Sequence, residues 1–283
     1  MATFYNQAVL SYNGNTTTSN ITTGEIVQVL SATKTAVTED YSANDTVTYV
    51  VNIINSGAVA FTGLTLTDNL GAYAYDALTL VPLTYTVGSV RYFENGVLRP
   101  APTVSSESPL TITGISVPAG GNATIVYEAR TNGFAPLEAG SVITNQATVS
   151  GLTLSPITVE ETITVVSEPI LTISKSLSPA TVTENSRLTY TFVIQNTGNT
   201  PAVATDSIVV TDTFNPILSA ITVTVGGETW AEGVNYTYNE ATGLFATVAG
   251  QITVPAATYT RDAATGAIVV NPGVTVLTVT GTV

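Results

Sequence analysis

The chain has 283 residues, of which only 10% are charged, with Asp and Glu outnumbering Lys and Arg by 20 to 7 and with no histidine or cysteine. Those zeros exclude Ser-His-Asp and Cys-His catalysis, zinc and haem sites of the usual ligand types, and any disulfide. A net charge of -13 argues against nucleic acid and against docking on anionic lipid, both of which need basic partners.

Mean hydropathy is positive at +0.34. No stretch approaches the ~18 uninterrupted apolar residues of a membrane helix, so membrane insertion is not expected. The apolar weight lies in short Val, Ile, Leu and Thr runs, and the length suits one large domain or two of ordinary size.

In chain order, residues 1–11 read as a lone strand, with Asn6-Gln7-Ala8-Val9-Leu10-Ser11 at its heart. No basic region followed by an apolar one precedes it, so no secretory leader is recognised. Residues 12–29, rich in Asn, Thr, Ser and Gly, read as a flexible linker. From about residue 30 a pattern begins that the chain later repeats. Lys34, Tyr49, Asn55 and Gly57 recur 141 residues on as Lys175, Tyr190, Asn196 and Gly198, and Asp68 recurs 144 on (212 − 68) as Asp212.

Within each copy, runs such as Thr46–Val51 alternate apolar and polar residues between Gly, Pro, Asn and Asp. Such punctuation indicates a β-sandwich of Ig-like topology. The expected fold is all-β: two tandem Ig-like sandwiches at 30–151 and 170–283, a connector at 152–169, an N-terminal donor strand and a flexible linker.

The N-terminal motif has its own offset, since Asn6-Gln7-Ala8 recurs 139 residues later as Asn145-Gln146-Ala147. In the first copy this is the final strand, following Asn122–Tyr127. The second copy reaches the corresponding strand, Val274–Val279, and the sequence stops at Val283. The second copy is therefore expected to lack a last strand, of which a spare version sits near the start.

The pattern K…T-Y…N-x-G…T-D…N-x-A resembles the conserved-repeat domain of bacterial surface proteins, an Ig-like family. Lys34, Tyr49, Asn55, Gly57, Asp68, Asn145 and Ala147 carry the match in the first copy, and Lys175, Tyr190, Asn196, Gly198 and Asp212 in the second. The resemblance implies internal Lys–Asn isopeptide bonds promoted by a nearby carboxylic acid, as in Ig-like pilin domains. The second copy has no terminal Asn-x-Ala of its own.

Strand parity is consistent with that chemistry, because alternate residues face the same side of a sheet. Lys175 shares parity with Leu171, Ile173 and Leu177; Asp212 with Ile208, Val210 and Phe214; Asp68 with Leu64, Leu66 and Leu70. Asn6 goes with Phe4, Ala8 and Leu10, and Asn145 with Ile143, Ala147 and Val149, while Lys34 is flanked only by Ala32 and Ala36. Both lysines of the chain occupy this one position.

Burial drives an amine and a carboxylic acid towards neutrality, leaving a nucleophilic amine and an acid able to polarise an amide. The expected pairs are Lys34 with Asn145, assisted by Asp68, and Lys175, assisted by Asp212, with an incoming Asn6. Glu128 is a rival acid, and a plain buried salt bridge is the competing reading.

Donation of Phe4, Asn6, Ala8 and Leu10 into the open second copy would propagate head to tail. The expectation is a homopolymer: the subunit of a bacterial extracellular fibre on a cell or spore surface, a pilus or spore appendage, with no cofactor. The alternative is a two-repeat piece of a larger cell-surface adhesin or stalk. An enzyme has little support, since no two carboxylates are placed together. Glu39, Asp40 and Asp45 read as a solvated acidic turn rather than a calcium loop. Trp230 reads as a core plug in a hairpin peculiar to the second copy.

Overall fold

The computed structural model describes residues 2–26, 29–151 and 154–283. Strands dominate, and the one helical element among these residues is a single 3-10 turn, Ala204–Asp206. No helix among them is long and apolar enough to cross a membrane.

The local cause is alternation. In Thr46–Asn55, Val47, Tyr49, Val51 and Ile53 are buried while their neighbours face outward. Arg187–Asn196 repeats the pattern with Leu188, Tyr190, Phe192 and Ile194.

The first sandwich has two sheets. One runs in the order Val97–Arg99, Arg91–Glu94, Asn122–Thr131, Thr46–Asn55, Leu30–Ala36, with Leu83–Tyr85 also on Asn122–Thr131. The other runs Thr103–Glu107, Leu110–Val117, Phe61–Asp68, Val142–Gly151, Leu154–Val165, Asp40–Tyr41. A continuous apolar core including Tyr41, Tyr49, Leu66, Ile112 and Tyr127 fills the space between them.

The second unit reproduces the first sheet as Leu171–Ser178, Arg187–Asn196, Gly273–Thr282, Ser219–Val225, Glu228–Trp230. Among the described residues its opposite sheet holds Thr211–Thr213, Leu244–Thr247 and Tyr236–Asn239. Trp230 packs partly buried against this core. Its hairpin is not peculiar to the second copy, because Arg91–Glu94 with Val97–Arg99 occupies the same place in the first.

Two stretches differ from the sequence expectation. The 152–169 connector contains Leu154–Val165, a strand of the first sandwich, antiparallel to Val142–Gly151 and parallel to Asp40–Tyr41. Within the 12–29 linker, residues 15–26 are the return arm of a hairpin: Ala2–Asn6 pairs with Thr22–Ile26, and Val9–Tyr12 pairs with Asn15–Thr18. Its tip is Asn13-Gly14, both at positive φ (46° and 78°), the combination a two-residue hairpin turn requires. The donor strand of the sequence reading is therefore paired, and it stands in solvent: Phe4, Val9 and Leu10 are all exposed.

The repeated Asn-x-Gly has a structural role. Buried Asn55 donates to Val59 O and Pro118 O and accepts from Gly57 N; Asn196 donates to Thr200 O and Pro255 O and accepts from Gly198 N. Each amide closes a loop whose backbone groups would otherwise lack partners. At Gly198 an added Cβ would lie 2.1 Å from Glu168 O, so the close approach itself requires glycine.

Candidate functional site

Lys34 lies mid-strand, opposite Val51, and its side chain turns into the first core. Its Nζ donates to Asp68 Oδ2 at 2.6 Å and to the backbone oxygen of Asn145 at 2.9 Å. Asp68 ends its own strand and pairs with Ala147, two residues beyond Asn145 on the same face. Lys34, Asp68 and Asn145, expected together from spacing and parity, meet in one place sealed from solvent.

Asp68 is held on all sides. Leu70 N donates to Oδ1 at 2.8 Å, and the Tyr127 hydroxyl donates to the same Oδ2 that takes the lysine. Burial, and next the Asp68 charge, raise the Tyr127 phenol well above its ordinary range, so it remains a donor. Lys34 itself is pushed down to about 8 by burial, an effect only partly opposed by the attraction of Asp68 and then of Glu161. Its ammonium also lies 4.7 Å from the Tyr49 ring centroid, within cation–π range.

The asparagine is satisfied on one side only. Asn145 Oδ1 accepts from Gly71 N at 3.1 Å, whereas Asn145 Nδ2 is buried without a hydrogen-bond partner. A buried donor left unpaired costs about 1–3 kcal/mol. Glu128, the rival acid, lies on the face of its strand opposite to Tyr127 and away from Lys34.

The second site has the same lysine and acid in a different setting. Lys175 Nζ donates to Asp212 Oδ2 and lies over three rings, with centroids at 4.3 Å (Tyr190), 5.4 Å (Phe192) and 5.5 Å (Phe214). The pair is not sealed: the side chains are 39% and 18% exposed. Leu171, Ile173 and Leu177, expected from parity to be core, are exposed as well. In the first unit Leu154–Val165 packs along Leu30–Ala36, and among the described residues no strand stands there in the second. Thr211–Thr213 pairs with Leu244–Thr247 on one edge, and among the described residues no strand takes the other edge, where Val142–Gly151 lies in the first unit. Asn6 is not at this site; it is exposed in the hairpin, opposite Thr22.

Sequence reasoning missed Tyr127 and the part of Glu161 in the first site, and Phe192 and Phe214 in the second. Tyr127 shares parity with Ala123 and Ile125 and was legible as core, but not as a partner of Asp68. Asp45 accepts from Ser42 N within its turn, and no group of three potential metal ligands occurs among the described residues.

No protein-family model and no curated relative matches the chain. Among solved structures it is similar to BcpA, the major pilin subunit of Bacillus cereus, at 11% identity over 95% of this chain and 73% of that one, with a TM-score of 0.36. It is also similar to the RrgB pilus backbone of Streptococcus pneumoniae, at 12% identity over 86% of this chain and 55% of that one, TM-score 0.33. A third likeness is to the collagen-binding subdomain of the Enterococcus faecalis surface protein ACE, at 6% identity over 50% and 99% of the two chains, TM-score 0.31. Identities this low leave function to the geometry of the site.

Proposed function

We propose that the chain is a self-polymerising subunit of a bacterial extracellular fibre. The N-terminal strand of one copy completes the second sandwich of the next. Lys34–Asn145 bonds lock each subunit, and Lys175–Asn6 bonds join neighbours. The observation that carries this reading is the unpaired Asn145 Nδ2: in a sealed Lys-Asp-Asn cluster, the one polar atom of the amide without a partner is the nitrogen that the reaction expels.

The chemistry balances without a cofactor. A proton passes from the Lys34 ammonium to Asp68, leaving a neutral amine. Its nitrogen attacks Asn145 Cγ, with protonated Asp68 polarising the carbonyl. As the new C–N bond forms, the acid hands its proton to the departing nitrogen and the Asp68 carboxylate so released takes the surplus proton from the lysine nitrogen; the old C–N bond breaks, ammonia leaves, and Asp68 ends protonated. At the second site Lys175 and Asp212 await only the amide. The rings of Tyr190, Phe192 and Phe214 line one side of the pair and the incoming strand would close the other. Seating Phe4 and Leu10 against Leu171, Ile173 and Leu177 would gain roughly 1.5–3 kcal/mol per large side chain.

Intact mass and a boiled denaturing gel test this. The monomer should be lighter than its sequence by one ammonia, and oligomers by a further ammonia per junction. Boiled fibres should run as a ladder that Asn6→Ala collapses to monomer. A ladder unchanged by Asn6→Ala, or a monomer of full sequence mass, overturns the reading. The second reading, a piece of a longer adhesin, draws on the same open edge of Thr211–Thr213: a closing strand from elsewhere in one polypeptide would leave Asn6→Ala silent.

A further inference from the structure

We propose, building on the strand-exchange reading above, that the donated piece is the whole N-terminal hairpin, residues 2–26. On this view its second arm fills a second vacancy in the acceptor. The first sandwich is closed by two strands, Val142–Gly151 against Phe61–Asp68 and then Leu154–Val165 against Val142–Gly151. The second unit has neither among the described residues.

The N-terminal hairpin repeats the register of that closing pair at its base and at its tip; the one-residue slip between them falls after Asn6 here and after Val149 there, so Val9 and Leu10 are offset by one. Phe4 faces Gly24 as Ile143 faces Ile163, and Asn6 faces Thr22 as Asn145 faces Glu161. At the tip, Tyr12 faces Asn15 as Gly151 faces Leu154. Every one of these residues lies 139 positions before its counterpart, and both hairpins lose one residue of register on the way to the tip. A tether would have no reason to keep the register of a closing strand.

Side-chain volume follows the same logic. The Phe4 ring covers Gly24 so closely that a Cβ there would lie 2.3 Å from it. The inward pair Ile143 and Ile163 is thus replaced by one large and one absent side chain, filling comparable space.

The acceptor must be another copy. Thr22 is eight residues from Leu30, at most about 28 Å of extended chain. Leu30 sits at the Asn55 end of the first sandwich, while the second unit joins at the opposite end, beside Tyr41 and Val166. The strand Thr46–Asn55 alone spans roughly 30 Å, and Lys175 lies four residues further on from Leu171. An isolated two-stranded hairpin is marginal in water, so this one gains its stability on docking. Docked, Ala8 lies opposite Asp212 as Ala147 lies opposite Asp68. Glu25 lies beside Thr181 as Thr164 lies beside Asp40.

Two sets of variants of the full chain separate this from single-strand donation, since residues 2–12 keep every group that one strand would need apart from the rescuing change at Phe4. Gly24→Val should slow ladder formation by about tenfold or more, because it overpacks the face shared with Phe4, and Phe4→Ile with Gly24→Ile should restore it. In a chain with no native cysteine, Glu25→Cys with Thr181→Cys should lose its free thiols in fibres and keep them in monomers. Normal ladders from Gly24→Val, or free thiols in fully laddered fibres, overturn hairpin donation and leave strand donation standing. Failure of the unsubstituted chain to ladder overturns strand donation itself.

Discussion

The proposed Lys34–Asn145 bond turns on a single unsatisfied atom. The Asn145 side-chain oxygen is held by Gly71 N while its nitrogen, beside the Tyr49 and Tyr127 phenols, makes no well-formed hydrogen bond, and Lys34 and Asp68 share one hydrogen bond beside it. The proposed reactive state moves one proton from Lys34 to Asp68 within the sealed pair, so the pair must keep that proton, and burial lowers Lys34 to about 8. Ammonia loss from freshly folded protein, followed by mass, should be nearly flat below pH 8 and fall about tenfold per pH unit above it. A rate that climbs from pH 8 to 10 would contradict transfer within the pair. Lysine, acid and asparagine were legible because alternation puts each on an inward face. Tyr127 was not, because its contact with Asp68 crosses from one sheet to the other and leaves no mark in local spacing.

At the scale of the element, composition misled twice for related reasons. Leu154–Val165 falls between the copies and so reads as a connector, although its alternation is already strand-like. In the fold Ile163 is fully buried and Ile157 and Val159 pack on the core. Ile163→Ala should therefore cost the first sandwich about 2–4 kcal/mol in urea unfolding. A residue in a mere connector would change stability by less than about 0.5 kcal/mol. Residues 12–29 read as a tether by their Asn, Thr, Ser and Gly content, yet Asn13-Gly14 is a hairpin turn signal and threonine favours strands. The turn chemistry was present in the sequence and was outweighed by composition.

For the whole molecule, the joint between units decides how a fibre would transmit direction. Asn199 Nδ2 donates to Leu137 O and Val166 O, Ile268 N donates to Gly133 O, and the Arg261 guanidinium lies 4.8 Å from the Tyr75 ring centroid. Asn199→Ala removes a donor shared by two carbonyls. It should broaden the distance distribution in small-angle scattering while leaving each sandwich folded; an unchanged distribution would mean the other contacts suffice.

The sequence by itself determined the two copies, their sandwich class, and the inward faces of Lys34, Asp68, Asn145, Lys175 and Asp212, because a period of two is written in neighbouring residues. Only the tertiary structure decided that Thr211–Thr213 has an open edge, that Lys175 is consequently half-exposed, and that the N-terminal segment is a hairpin in the register of Val142–Gly151 with Leu154–Val165. Pairing and enclosure depend on residues far apart in the chain, so they exist only once the sheets have formed.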